Sequence, residues 1–256
     1  MPSITINKRS IYYESAPRVL REDRPNLILI HGAGGTTYTW RYQLERISDL
    51  CNVIAIDLPG HGRSEGPGEK EIGSYRAWVQ RLVKQLSLTN IILGGHSMGG
   101  AIVLDYALSN PEEIKGLVLV GTGARLRVLP EILDKILRDY SQFVEMIGQY
   151  AFSPHTPQSI KDEHAEMMLK NDPRTVHGSF IACDRFDVMT RLSEIKISSL
   201  ILCGEDDRLT PLKYAKYLEQ NLGRAKMEAI PKAGHMVMFE QPEEFNRRVK
   251  AFLTEE

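Results

Sequence analysis

Six short apolar runs constrain the fold of this chain more than any other feature. They occupy residues 26–30, 53–56, 91–93, 117–120 and 200–203, with a weaker run at 227–230, and most close on Gly, Asp or Pro. Their apolar residues are continuous rather than alternating, the pattern of strands buried on both faces. The segments between them have helical spacing. Tyr75, Trp78, Val79, Leu82, Val83 and Leu86 fall on one face of a long amphipathic helix. Residues 101–108 form a second such segment, stopped by Asn110-Pro111; 211–222 form a third, ended by Gly223; 243–253 form a fourth, opened by Pro242. Strand–helix alternation predicts an α/β fold with a mostly parallel sheet. Residues 4–6 and 11–13, around a polar turn, predict an antiparallel hairpin at its edge.

One stretch departs from this rhythm. Between residues 122 and 191 no strand-like run occurs, while 129–147, 160–169 and 174–183 have helical periodicity, punctuated by Pro154, Pro157 and Pro173. Seventy residues of helix exceed what a crossover needs. Ligand sites in open α/β sheets lie beyond the carboxyl ends of the strands. The stretch is therefore read as a helical cap, 122–191, inserted into a core formed by 1–121 and 192–256. The 256 residues suffice for one large domain that needs no disulfide or metal staple, with roughly 11,400 Å² exposed once folded.

Composition excludes several classes. With 32 Lys+Arg against 33 Asp+Glu the chain lacks the cationic excess of a nucleic-acid binder. Cys51, Cys183 and Cys203 are scattered, with no Cys-x-x-Cys pair. No apolar run reaches the ~18–20 residues of a membrane span, and the charged N-terminus has no signal-like apolar core. The expected compartment is the cytoplasm. Oligomeric state leaves no mark in the sequence.

The chemistry concentrates at Gly95-His96-Ser97-Met98-Gly99, a G-x-S-x-G segment between a predicted strand and a predicted helix. A sharp strand-to-helix turn there projects the Ser97 hydroxyl beyond the sheet, beside a helix N-terminus that favours developing negative charge. A serine hydroxyl needs a base. His235, in Ala233-Gly234-His235-Met236, follows the last strand and fills that role. His155, His164 and His177 are read as surface residues. The base needs an orienting carboxylate. Glu205, Asp206 and Asp207 stand together after the run at 200–203, and spacing alone does not choose between Asp206 and Asp207. The small-residue loop His31-Gly32-Ala33-Gly34-Gly35 lets backbone N–H groups face an open site, which makes Ala33 N–H and Met98 N–H the oxyanion donors. That loop lacks the nucleotide-binding glycine patterns, and no cofactor or metal is expected.

Together with His31-Gly32, Asp57-Leu58-Pro59-Gly60-His61-Gly62-Arg63-Ser64, Gly204-Glu205-Asp206-Asp207 with Pro211, and Gly234-His235, this segment resembles the α/β-hydrolase family over essentially the whole chain. The resemblance implies the α/β-hydrolase fold, with an eight-stranded mostly parallel sheet and an inserted helical cap. It places nucleophile, acid and base on Ser97, Asp207 and His235, and the oxyanion donors on Ala33 and Met98. The 57–64 loop is read as structural. Serine where relatives acting on haloalkanes or epoxides carry aspartate points to acyl transfer. The expected activity is hydrolysis of small to medium carboxylic esters, a small-molecule substrate. The alternatives are carbon–carbon bond hydrolysis by the same triad and a ligand sensor on the same fold. Trp40 and Met236, beside the motifs, are read as pocket walls. The apolar residues of the cap are read mainly as its own core. Arg125, Arg127 and Arg185 are read as solvated or ion-paired.

Overall fold

The computed structural model describes residues 3–255. Its strands are β1 (Ser3–Ile6), β2 (Arg9–Ala16), β3 (Asn26–Ile30), β4 (Asn52–Ile56), β5 (Ile91–His96), β6 (Ile114–Val120), β7 (Ser198–Gly204) and β8 (Arg224–Ile230). Its α-helices are α1 (Arg41–Arg46), α2 (Ile72–Gln85), α3 (Met98–Ser109), α4 (Pro130–Arg138), α5 (Tyr140–Ala151), α6 (Gln158–Leu169), α7 (Pro173–Arg185), α8 (Leu212–Asn221), α9 (Val237–Glu240) and α10 (Pro242–Glu255). One eight-stranded sheet runs in the order β1-β2-β4-β3-β5-β6-β7-β8. The β1–β2 and β2–β4 pairs are antiparallel and the rest parallel. This is the α/β-hydrolase architecture, with the expected edge hairpin.

Helices cover both faces of the sheet, which is why its strands read as continuous apolar runs. In β3, Ile28 and Ile30 pack with Tyr75, Val79 and Leu82 of α2 and with Ile102 and Leu104 of α3. The alternate residues Leu27 and Leu29 pack on the other face with Leu44 of α1 and Phe245, Val249 and Phe252 of α10. Helix α3 is buried almost throughout, wedged between the sheet and α2. The folded chain exposes 11231 Å², close to the area its size predicts.

Four helices, α4 to α7, lie between β6 and β7. They share a small core of Ile136, Phe143, Val144, Ile147, Met167, Met168 and Val176. The helix expected over 129–147 is two helices. Asp139 leaves the helical conformation at φ −150°, ψ 83° and accepts the Gln142 N–H at 2.9 Å, capping α5. An aspartate that can cap competes with helix continuation, so the apolar period runs across a corner. No helix among the described residues is long and apolar enough to cross a membrane.

Asp139→Ala removes this cap. We expect a loss of about 1 kcal/mol, read as a lower denaturant midpoint at unchanged slope. An unchanged midpoint would show that the corner holds without it.

Candidate active site

Ser97 stands between the last residue of β5 and the first of α3, at φ 54° and ψ −115°. A positive φ is strained for a residue with a Cβ, by about 1–3 kcal/mol, so its surroundings must hold it. Its N–H donates to the Val120 carbonyl at 2.9 Å. Its carbonyl accepts from Gly100 N–H (2.9 Å), Ala101 N–H (3.2 Å) and the Thr122 hydroxyl (2.8 Å). The backbone folds tightly enough here that a Cβ on Gly95 would lie 2.2 Å from the Gly99 carbonyl oxygen. One on Gly99 would lie 2.2 Å from that of Ile30.

The loop after β3 lies against this turn, close enough that a Cβ on Gly32 would sit 3.2 Å from Ser97 Cβ. It is tethered from below and above. The buried His31 Nε2 accepts the Leu58 N–H at 3.0 Å, which leaves Nδ1 to donate to the Gly32 carbonyl at 2.7 Å. Asn171, from the segment between α6 and α7, donates to the Gly34 carbonyl at 2.9 Å and accepts from Gly62 N–H at 3.3 Å. The 57–64 loop is itself bonded internally: Asp57 accepts from Thr37 and Arg63 N–H, and Ser64 donates to the Asp57 carbonyl. Ala33 lines the cavity beside Ser97. Met98 opens α3, so its N–H has no intrahelical acceptor, while its side chain is buried in the core.

His235 follows β8. Its Nδ1 lies 2.9 Å from Asp207 Oδ2 and 3.2 Å from Thr210 Oγ1. Asp207 follows β7 and is buried, and it also accepts Leu209 N–H (2.9 Å), Thr210 N–H (2.8 Å) and the Thr210 hydroxyl (2.8 Å). Burial alone would raise its carboxyl. The His235 ring and the Thr210 donors outweigh burial and hold it below the usual range. Of the two candidate aspartates, Asp207 is the one in contact with His235, while Asp206 accepts the Ser153 hydroxyl at 2.6 Å. Gly121, after β6, lies close under the ring: a Cβ there would be 3.2 Å from His235 Nδ1.

A cavity of about 530 Å³ joins these groups, within the range of small-molecule sites. Ser97, His96, His235, Met236 and Thr39 line its floor; Leu126, Met146, Ile147, Met167, Met168 and Phe180 of the inserted segment line its roof. Ser97 and His235 face this space with no direct hydrogen bond between them, a contact that commonly tightens when substrate binds. Met167 and Met168 thus serve both the core of the inserted segment and the cavity wall, while Phe143 stays in that core. Trp40 does not line the cavity. It is fully buried under the opposite sheet face, its ring 6.3 Å from that of Phe245, and Thr39 takes the place expected of it. His164, read as a surface residue, is buried and lines the cavity.

The inserted segment also holds the histidine loop. His235 N–H donates to the Ala151 carbonyl at 2.7 Å. Glu240 accepts from Gly234 N–H (2.9 Å), Ser153 N–H (2.8 Å) and the Thr156 hydroxyl. His96 Nε2 lies 3.1 Å from the His235 carbonyl. Sequence reasoning missed Glu240, Asn171 and Ser153. A buried polar residue beside a motif is the only signal that could have found them. No group of three His, Cys, Asp or Glu among the described residues is placed to hold a metal ion.

Residues 27–248 match the model of the alpha/beta hydrolase family. The chain belongs to this family. A solved thermophilic esterase is 32% identical, with a TM-score of 0.87 over 99% of this chain and 97% of its own. The 2-hydroxy-6-oxo-2,4-heptadienoate hydrolase of Pseudomonas putida is 29% identical over 90% of this chain and 89% of its own. The 2-hydroxy-6-oxo-6-phenylhexa-2,4-dienoate hydrolase of Comamonas testosteroni is 27% identical over 89% and 87%. The protein is thus an alpha/beta hydrolase, with hydrolytic relatives of both ester and carbon–carbon type.

This alpha/beta hydrolase buries four imidazoles in neutral form. Burial holds His31 and His96 well below the histidine range and lowers His61 and His164 to about 4. Unfolded, each takes a proton near pH ~6.5. The unfolded state then binds more protons as pH falls from ~6.5, and stability drops by up to about 1.4 kcal/mol per pH unit for each ring. Asp57 and Glu240, whose carboxyls burial raises, oppose this at the acid end. We expect denaturation midpoints to fall between pH 7 and pH 5. A flat or rising profile would contradict neutral burial.

Proposed function

We propose that the protein hydrolyses carboxylic esters of small to medium acyl chains through an acyl-enzyme on Ser97. In this reading His235 Nε2 takes the Ser97 proton as Oγ attacks the carbonyl, then returns it to the departing alcohol. Asp207, bonded to Nδ1, keeps the ring in the tautomer that presents Nε2 and stabilises the imidazolium. The N–H groups of Ala33 and Met98 receive the oxyanion. Water, deprotonated by His235, releases the acid. Residues 122–191 act as a cap over the core formed by 1–121 and 192–256.

One observation carries this reading. A serine held at positive φ on a strand-to-helix turn shares a largely apolar cavity with a histidine whose other nitrogen meets a buried carboxylate. The likeness to an esterase supports the ester bond as target. The two dienoate hydrolases support the second reading, carbon–carbon cleavage by the same residues. The cavity's two cations weigh against a carboxylate deep inside. Arg208 is bonded to the Gln149 carbonyl at the exposed edge, and Arg127 lies 3.7 Å from Asp184.

The test is a graded series of p-nitrophenyl acyl esters alongside a 2-hydroxy-6-oxo dienoate. We expect turnover of the esters that peaks at one chain length. Ser97→Ala should lower it at least ~10³-fold and Asp207→Asn roughly 10³–10⁴-fold. Turnover of the dienoate alone would favour the second reading. Turnover of neither, or activity surviving Ser97→Ala, contradicts the proposal.

A further inference from the structure

We propose that His164, on the inserted helix α6, is a specificity-determining residue that hydrogen-bonds an oxygen function of the substrate near its scissile carbonyl. The inference rests on the ester reading for its choice of substrate and deepens it: the preferred ester carries a hydroxyl or keto oxygen close to the bond that breaks.

The other buried imidazoles each have a protein partner. His31 bonds to Leu58 and Gly32, His61 to Pro59 and Ser179, His96 to the His235 carbonyl and His235 to Asp207. His164 has none. The residue is 7% exposed, and its ring packs edge-on against Phe152, with centroids 5.2 Å apart and planes at 83°. No hydrogen bond joins its nitrogens to any described residue, and neither nitrogen is among the fully occluded polar atoms that lack a partner. The nitrogens are thus not fully occluded, and the residue lines the cavity together with Ser97 and His235.

The chemistry of that surface is specific. Burial, then the nearby His235, keeps the ring neutral at physiological pH. A neutral imidazole offers one N–H donor and one acceptor. The surrounding roof of Met146, Ile147, Met167 and Met168 offers neither. A hydroxyl or carbonyl oxygen entering among these apolar side chains can pair with the imidazole, whereas an unsubstituted acyl chain leaves it unpaired. His164 packs on Phe152, the neighbour of Ala151, whose carbonyl holds the His235 amide at 2.7 Å, and this places the ring beside the loop that carries the base. The oxygen it meets therefore lies near the reacting carbonyl rather than at the far end of the chain.

Ser97→Ala provides a background in which binding needs no turnover. Calorimetry compares methyl 3-hydroxyhexanoate with methyl hexanoate on that protein and on Ser97→Ala/His164→Phe. We expect the hydroxy ester to bind about fivefold to tenfold tighter to the first and the preference to vanish in the second. His164→Gln, which retains a donor and an acceptor, should recover part of it, whereas a packing role would not respond to this change. If the phenylalanine variant fails to fold, His164→Met replaces it with a side chain already common in this wall. Equal binding of the two esters, a preference that survives loss of the imidazole, or no binding of either overturns the inference. Failure of the ester reading shows separately, as absent turnover of p-nitrophenyl esters by the wild-type protein.

Discussion

The backbone of Ser97 is the constraint on which the rest of the site depends. A strand from the middle of the sheet must end, reverse its course and begin a helix within one residue, and that residue carries the hydroxyl. The turn closes only because Gly95 and Gly99 let backbone meet backbone where a Cβ would be 2.2 Å from a carbonyl oxygen. Neighbouring strands then secure it, through Val120 and Thr122 on one side and the β3 loop on the other. Strain of this kind persists only where surrounding structure over-determines it. Here the same contacts that hold Ser97 also bring Ala33 and the Met98 amide alongside.

The helices inserted between β6 and β7 do more than roof the cavity. Ala151 holds the His235 amide, Ser153 occupies Asp206, and Glu240 ties Ser153 and Thr156 to Gly234. Further along, Asn171 holds the loop that carries Ala33, while Glu163 of α6 meets Arg41 at 2.8 Å. Each loop bearing a reactive group is therefore fixed from the sheet and from the insertion. Movement of these helices would be felt at His235 and at the Ala33 loop together.

Legibility followed physics. The strands of the parallel sheet could be read because burial on both faces leaves no polar residues in 27–30 or 200–203. The amphipathic spacing of α2 showed its buried stripe directly. Ser97, Asp207 and His235 could be singled out as candidates because each follows a strand, in a recognisable order. Trp40 could not be placed, since adjacency to a motif does not say which sheet face a side chain takes. Ring burial against Phe245 decided that. The break at Asp139 depended on a side chain choosing to cap, and the burial of His164 on how α6 docks over Phe152. Both are tertiary outcomes that the local period does not carry.

The most direct test of the account is covalent labelling of the intact protein with diethyl p-nitrophenyl phosphate, read by mass spectrometry and peptide mapping. A nucleophile activated by His235 and facing an oxyanion pocket should displace p-nitrophenolate and leave one diethylphosphoryl group on Ser97. His235→Ala should slow the labelling sharply. An unmodified protein, or a phosphoryl group mapped to another residue, would contradict the account.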